Sequence, residues 1–509
     1  MTMKYGTRAV QAFTASAIVV CLTVLLPLPV AAQEVADADI ISAIDTQMRI
    51  DNAVTANNVD VSSINGVVTL TGTVDNILEK ERAQALAEAT VGVRTIVNRI
   101  DVEPVTPRTD NELKTAVESA WLVDPVAKSY RLEAEVDDGI VTISGTVSSH
   151  AERDLSATVA KGVRGVKDIV NETVVDYGVT RTDQQIQNEI SGRLENDVRI
   201  DDALIQVSVS NGNVTLSGSV GSLQEKTRAR SNAWVAGVVS VDADDLDLRW
   251  WARDEMRRTR AHITRTDDEI QEAVEDALVY DPRVMSDNVD AAVTGGTVIL
   301  SGTVNNLAAK RAAEQDARNT IGVIRVTNNI KVRPDIPADD VLETRVASAL
   351  RVDPYIERYN VTVNAHGGWV YLSGNVDTSF KKNRAERVTE GVEGVVGVVN
   401  NLDYDYQWVW ARDQEIRDNV RDQLRWNPFV EADNVRLSVD DGVVTLHGTV
   451  NAWSEREEAE KNAFQGGAKD VINNLVVDHR HYGPYSPGYY GSPTYRGPGY
   501  YGPAYEPYQ

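Results

Sequence analysis

Val68-Thr69-Leu70-Thr71-Gly72-Thr73-Val74 decides the fold, because the chain repeats this pattern six times. It returns as Val141-Thr142-Ile143-Ser144-Gly145-Thr146-Val147 and again over 214–220, 298–304, 370–376 and 444–450, always with glycine in fifth place. Apolar residues at every second position follow the strand period. The glycine suits a strand exit or a close backbone approach. Before the six copies stand Asn65-Gly66, Asp138-Gly139, Asn211-Gly212, Gly295-Gly296, Gly367-Gly368 and Asp441-Gly442. These dipeptides favour a type I′ turn, which needs positive φ at both central residues. The motif is therefore read as the second strand of a hairpin.

Working outward, a helix precedes each hairpin. Thr266 with Glu269, Thr109 with Glu112, and Thr182 with Gln185 have capping-box spacing. Behind them run apolar stripes at i, i+4, i+8: Leu113, Val117, Trp121; Ile270, Val274, Leu278; Ile416, Val420, Leu424. Asp124-Pro125, Asp281-Pro282, Asp353-Pro354 and Asn427-Pro428 read as helix stops, since proline disfavours the α region at the residue before it. After the hairpin comes a charged, alanine-rich helix, such as 307–317 or 453–463, that ends at a glycine. A last strand follows, as in Gly92-Val93 and Ile96-Val97-Asn98-Arg99-Ile100. Asn171, Asn328, Asn400 and Asn473 match Asn98, while the third copy has Ala243.

The unit is αββαβ, and the fold class is α+β: six tandem modules, beads on a string, each a three-stranded sheet with two helices on one face. The other sheet face is expected to be open, or to pack on a neighbouring module. The modules span 36–104, 109–177, 182–249, 266–334, 338–406 and 412–478, with a Trp/Arg-rich junction at 250–265. The motif glycines Gly72, Gly145, Gly218, Gly302, Gly374 and Gly448 lie 72 to 84 residues apart, and the junction accounts for the longest spacing.

Residues 1–32 read as a cleavable signal peptide: Lys4 and Arg8, an apolar run from Ala15 to Leu28, then Val30-Ala31-Ala32. Cys21, the single cysteine, sits inside that run behind Val20 rather than in a lipoprotein context. The mature protein thus has neither a disulfide framework nor a thiolate site. Residues 482–509 are dominated by Tyr, Gly and Pro, a composition that cannot bury a core and reads as a disordered tail.

With 51 basic against 76 acidic residues, the chain as a whole repels nucleic acid and anionic membranes. No nucleic-acid partner is expected, and any anionic contact must be local. The six histidines are scattered, and only His479 and His481 are close. No nucleophile, base and stabiliser converge, the acidic runs lack a calcium-loop pattern, and no Gly-Lys-Ser/Thr follows the turn glycines. The expectation is no enzyme, no metal and no cofactor.

In the repeated hairpin glycine and the Gly-Val…Val-x-Asn-x-Ile ending, all six modules resemble the BON domain, found in exported bacterial proteins that include osmotically inducible periplasmic ones. The resemblance implies a periplasmic, non-enzymatic protein that contacts phospholipid membranes or envelope proteins under osmotic or envelope stress. Six copies and strong acidity depart from the family's usual pattern. The candidate lipid contact is the one basic stretch, 249–265. There Arg253, Arg257 and Arg260 share a helix face with Arg258 nearby, while Trp250 and Trp251 offer interfacial rings. A structural alternative stands beside it, because Leu246, Leu248 and Trp250 alternate as a strand would and pack between modules. The rival function is a protein scaffold whose open sheet faces and Tyr-rich tail engage envelope proteins or polysaccharide.

Overall fold

The computed structural model describes residues 35–51, 53–55, 58–127, 130–249, 252, 265–284, 288–356, 359–404 and 413–477. The expected signal peptide and the Tyr-rich tail lie outside them.

Module one sets the pattern with helix α1 (Asp37–Ile50), strands β1 (Val59–Ile64) and β2 (Val67–Val74), helix α2 (Ile77–Glu88) and strand β3 (Thr95–Val102). β2 is central, antiparallel to β1 and parallel to β3. Ile64 pairs with Val67 across a two-residue turn in which Asn65 and Gly66 both have positive φ, as the dipeptide requires. Val68, Leu70 and Val74 point inward beneath Ile40, Ile44 and Met48 of α1 and Ala83 and Leu86 of α2. The stripes Leu113, Val117, Trp121 and Ile416, Val420, Leu424 are buried in the same way in modules two and six. Both helices thus cover one sheet face in this α+β unit.

The third strand varies. It is continuous in modules one, five and six and interrupted in the others. In module three Asp242 pairs with Thr215 but Leu246 with Gly218, so one extra residue bulges out where the asparagine is missing. Elsewhere that asparagine stitches strand to helix: Asn98 Nδ2 donates to the Lys80 carbonyl and Asn98 Oδ1 accepts from the Ile100 amide.

The six modules contact one another through helices and loops, so that of the two expectations for the second sheet face, open or packed on a neighbour, these contacts follow the first. The loop behind an even module's second helix meets the first-helix end of an odd module. The Ile321 amide donates to Asn196 O, and the Val198 amide to Asn319 O, joining modules four and three. The Arg164 amide donates to Val352 O at 2.8 Å, joining two and five. Gln465 of module six reaches Asp51 of module one. The pairs are therefore one with six, two with five, and three with four, so contacts are not confined to sequence neighbours. Cross-links join the pairs: the Trp453 indole donates to Ile324 O at 2.7 Å, Tyr355 OH to Ala53 O at 3.0 Å, and His150 stacks on Trp234. Burial at that stack pushes the imidazole of His150 down to about 4.

Candidate functional site

The surfaces left to meet a partner are set by one recurring device. The first residue of each opening helix is an aspartate, 29 positions before the second turn residue: Asp37, Asp110, Asp183, Asp267, Asp339 and Asp413. Asp37 accepts from the amides of Asn65 and Gly66 at 2.7 and 2.9 Å and from Ser63 Oγ. Asp110, Asp183, Asp267 and Asp413 take both turn amides likewise, and Asp339 takes that of Gly367. The turn amides hold the carboxyls of Asp37 and Asp267 below the ordinary range. Acidic residues in a first helical turn are common because of the helix dipole, so composition hid this second role; the constant spacing was the signal that could have revealed it.

The motif glycines keep each hairpin closed. Gly302 has φ of 115° and faces Val289 in the ladder, where a Cβ would overlap the Asn288 carbonyl oxygen. The other five adopt positive φ with a carbonyl in the same place.

Clamped at the turn and pinned at the glycine, each sheet presents its second face to solvent. Val67, Ile140, Ile299 and Ile472 stand exposed there, and so do Trp369 and Tyr371. Charge on these faces is mixed: Glu133, Glu135 and Asp168 in module two, Arg325 and Lys331 in module four. Cavities lie between modules, and Val67 and Asp168 each line the edge of one. One of about 570 Å³, among modules two, three and four, is lined by acids and bases facing each other, including Asp154, Arg193, Arg228, Asp281 and Asp316. Burial, together with Asp281, holds the Asp316 carboxyl well above the usual range. Among the described residues no group of three His, Cys, Asp or Glu is arranged to hold a metal ion, and no helix is long and apolar enough to cross a membrane.

Of the proposed lipid contact, Trp250, Trp251, Arg253, Arg257, Arg258 and Arg260 all lie outside the described residues. Its two ends are described. Arg249 pairs with Asp247 at the surface, whereas Arg265 is largely buried and pairs with Glu195 of module three at 2.6 Å. The sequence reading did not bring these residues together with the open faces, nor did it single out Trp369 and Tyr371.

The BON domain profile matches residues 36–104, 109–177, 182–249, 266–334, 338–406 and 412–479. This chain belongs to the BON domain family. Its BON domains are similar to Osmotically-inducible protein Y of Escherichia coli (29% identical over 121 residues, 23% of this chain and 60% of that protein). They are also similar to Outer membrane lipoprotein DolP of Haemophilus influenzae (33% identical over 148 residues, 28% of this chain and 76% of that protein). The chain thus spans less than two thirds of the length of the first of these relatives. The C-terminal domain of CdsD, a structural protein of the type III secretion system of Chlamydia trachomatis, aligns over its full length with 42% of this chain at 17% identity and a TM-score of 0.12.

Proposed function

We propose that this BON-domain protein is an exported, non-enzymatic component of the cell envelope that acts under osmotic or other envelope stress as a multivalent binding array. One observation carries the reading: the helical sides are consumed by contacts within the chain, while the sheet faces of the modules remain exposed. Six linked faces raise one another's effective concentration, so weak contacts sum to firm attachment. The similarity to an osmotically inducible protein and to an outer membrane lipoprotein supports the compartment and the stress.

A second contact, with anionic phospholipid, is assigned to 249–265, because a net charge of −25 leaves approach to such a surface to a local cluster of arginines. Sedimentation of the mature protein with phosphatidylglycerol vesicles, with and without salt, tests it. Salt-sensitive binding lost on changing Arg253, Arg257, Arg258 and Arg260 to Gln assigns the lipid contact to this stretch. Wild-type protein that stays in the supernatant leaves the sheet-face array as the whole function.

A further inference from the structure

We infer that the open sheet face of module five is a platform for an uncharged polysaccharide strand of pyranose sugars; this rests on the reading of the sheet faces as binding surfaces. Trp369 and Tyr371 are two residues apart on the central strand Trp369–Val376, so both rings stand on the open face, roughly 7 Å apart along the strand. They are 48% and 40% exposed. The same two positions hold Val67 and Thr69, Ile140 and Thr142, Asn213 and Thr215, Thr297 and Ile299, and Val443 and Thr445 in the other modules. Only module five places aromatic rings there.

The strand beneath has adapted to the indole. Trp369 is paired with Gly397 on the parallel neighbour, where the other modules carry Thr95, Asp168, Ser240, Arg325 and Asp470. A Cβ on Gly397 would stand 2.6 to 2.8 Å from three atoms of the six-membered ring, so the ring lies with its face over the glycine. Gly397 does not have a positive φ, and the backbone there does not itself call for glycine. What the missing side chain supplies is room for the indole to lie down and turn its outer face to solvent.

Around the rings the face is polar and nearly uncharged. Asn364 lies opposite Tyr371, and Thr362 and Asn401 flank Ser373. His366, directly opposite Trp369 and 3.3 Å from Asp339, and Asp403, opposite Asn375, are with Tyr371 the titratable groups of these strand positions. Amides and hydroxyls both donate and accept, which matches the hydroxyls of a sugar. The electron-rich ring faces attract the weakly positive C–H edges of a pyranose. The face carries no cluster of cations for lipid phosphates. A neutral sugar chain meets both parts at once: C–H groups on the rings, hydroxyls on the rim.

Isothermal titration of the full mature chain with chitotetraose, cellotetraose and maltotetraose tests the assignment. We expect at least one to bind, with affinity falling about tenfold, or roughly 1.4 kcal/mol, in Trp369→Ala and in Tyr371→Ala. Gly397→Thr, which keeps both aromatic residues but puts a side chain where the indole lies, is expected to weaken binding comparably by lifting the ring from its seat, with circular dichroism unchanged. The proposal is overturned if none of the three sugars binds, or if binding survives Trp369→Ala. Phosphatidylglycerol vesicles run in parallel separate the two levels: vesicle binding lost in Trp369→Ala, with no sugar bound, removes the glycan and keeps the face as a binding surface. Neither ligand bound, with envelope binding of the chain unaffected by Trp369→Ala, removes both.

Discussion

Odd and even modules share one fold and differ at one ion pair. In all six, the residue that closes the first helix accepts the amide two residues on: Asp51 from Ala53, Asp124 from Val126, Asp197 from Arg199, Asp281 from Arg283, Asp353 from Tyr355 and Asn427 from Phe429. In modules one, three and five the other oxygen also meets an arginine 31 positions later, at Arg82, Arg228 and Arg384. The even modules put Leu155, Ala312 and Glu458 there. The pairs one with six, two with five and three with four each join one kind to the other. A repeat with a single interface stacks in sequence, each unit on the next. Two kinds of surface on one frame let the chain fold back and pair modules that are hundreds of residues apart.

The sharpest break in this comparison is Arg384→Leu. It strands the Asp353 carboxylate, whose side chain is 3% exposed, and breaking such a buried pair costs about 3 to 4 kcal/mol. Chemical denaturation should show that loss, and Asp353→Asn in the same background should recover much of it. Should Arg384→Leu melt like the wild type, the ion pair does not define the odd modules.

The next effect should ignore parity. Gly302→Val in module four and Gly374→Val in module five each force a β-branched side chain into positive φ against a carbonyl, at about 1 to 3 kcal/mol. Similar losses in both would locate the shared frame in the hairpin; a loss confined to one would put the frame itself under the odd and even difference.

The last effect, read as a slope rather than a loss, is a pH dependence. Glu390 of module five is buried against Arg311 of module four, and burial pushes its carboxyl from 4.5 up to about 7, with Arg311 opposing and Glu386 reinforcing. The folded chain therefore holds a proton that the unfolded chain releases between about 4.5 and 7. This group's contribution to stability is greatest below that window and is lost as pH rises through it. Melting temperatures of Glu390→Gln across the window should fall less steeply than those of the wild type; parallel curves would show that Glu390 is already ionised in the folded state.

The repeat, the αββαβ order and the buried stripes were legible because each is written within a dozen residues, by strand period, helix period and turn chemistry. The helix stops were legible too, yet proline spoke for only part of them: Asp51 and Asp197 close helices without one, and their arginine partners lie 31 residues away, beyond any local period. Module pairing could not be read from any local period, since Asp51 and Gln465 meet across almost the whole array and the odd and even alternation of Arg82, Arg228 and Arg384 gains meaning only once the partners are seen. Alternation told which side of each strand was apolar but not what would cover the other side. The choice fell to tertiary packing, in which helix ends and loops found partners and the sheet faces did not. Trp369 over Gly397 belongs to the same class: the two residues are 28 positions apart, and only parallel pairing of their strands lays one on the other.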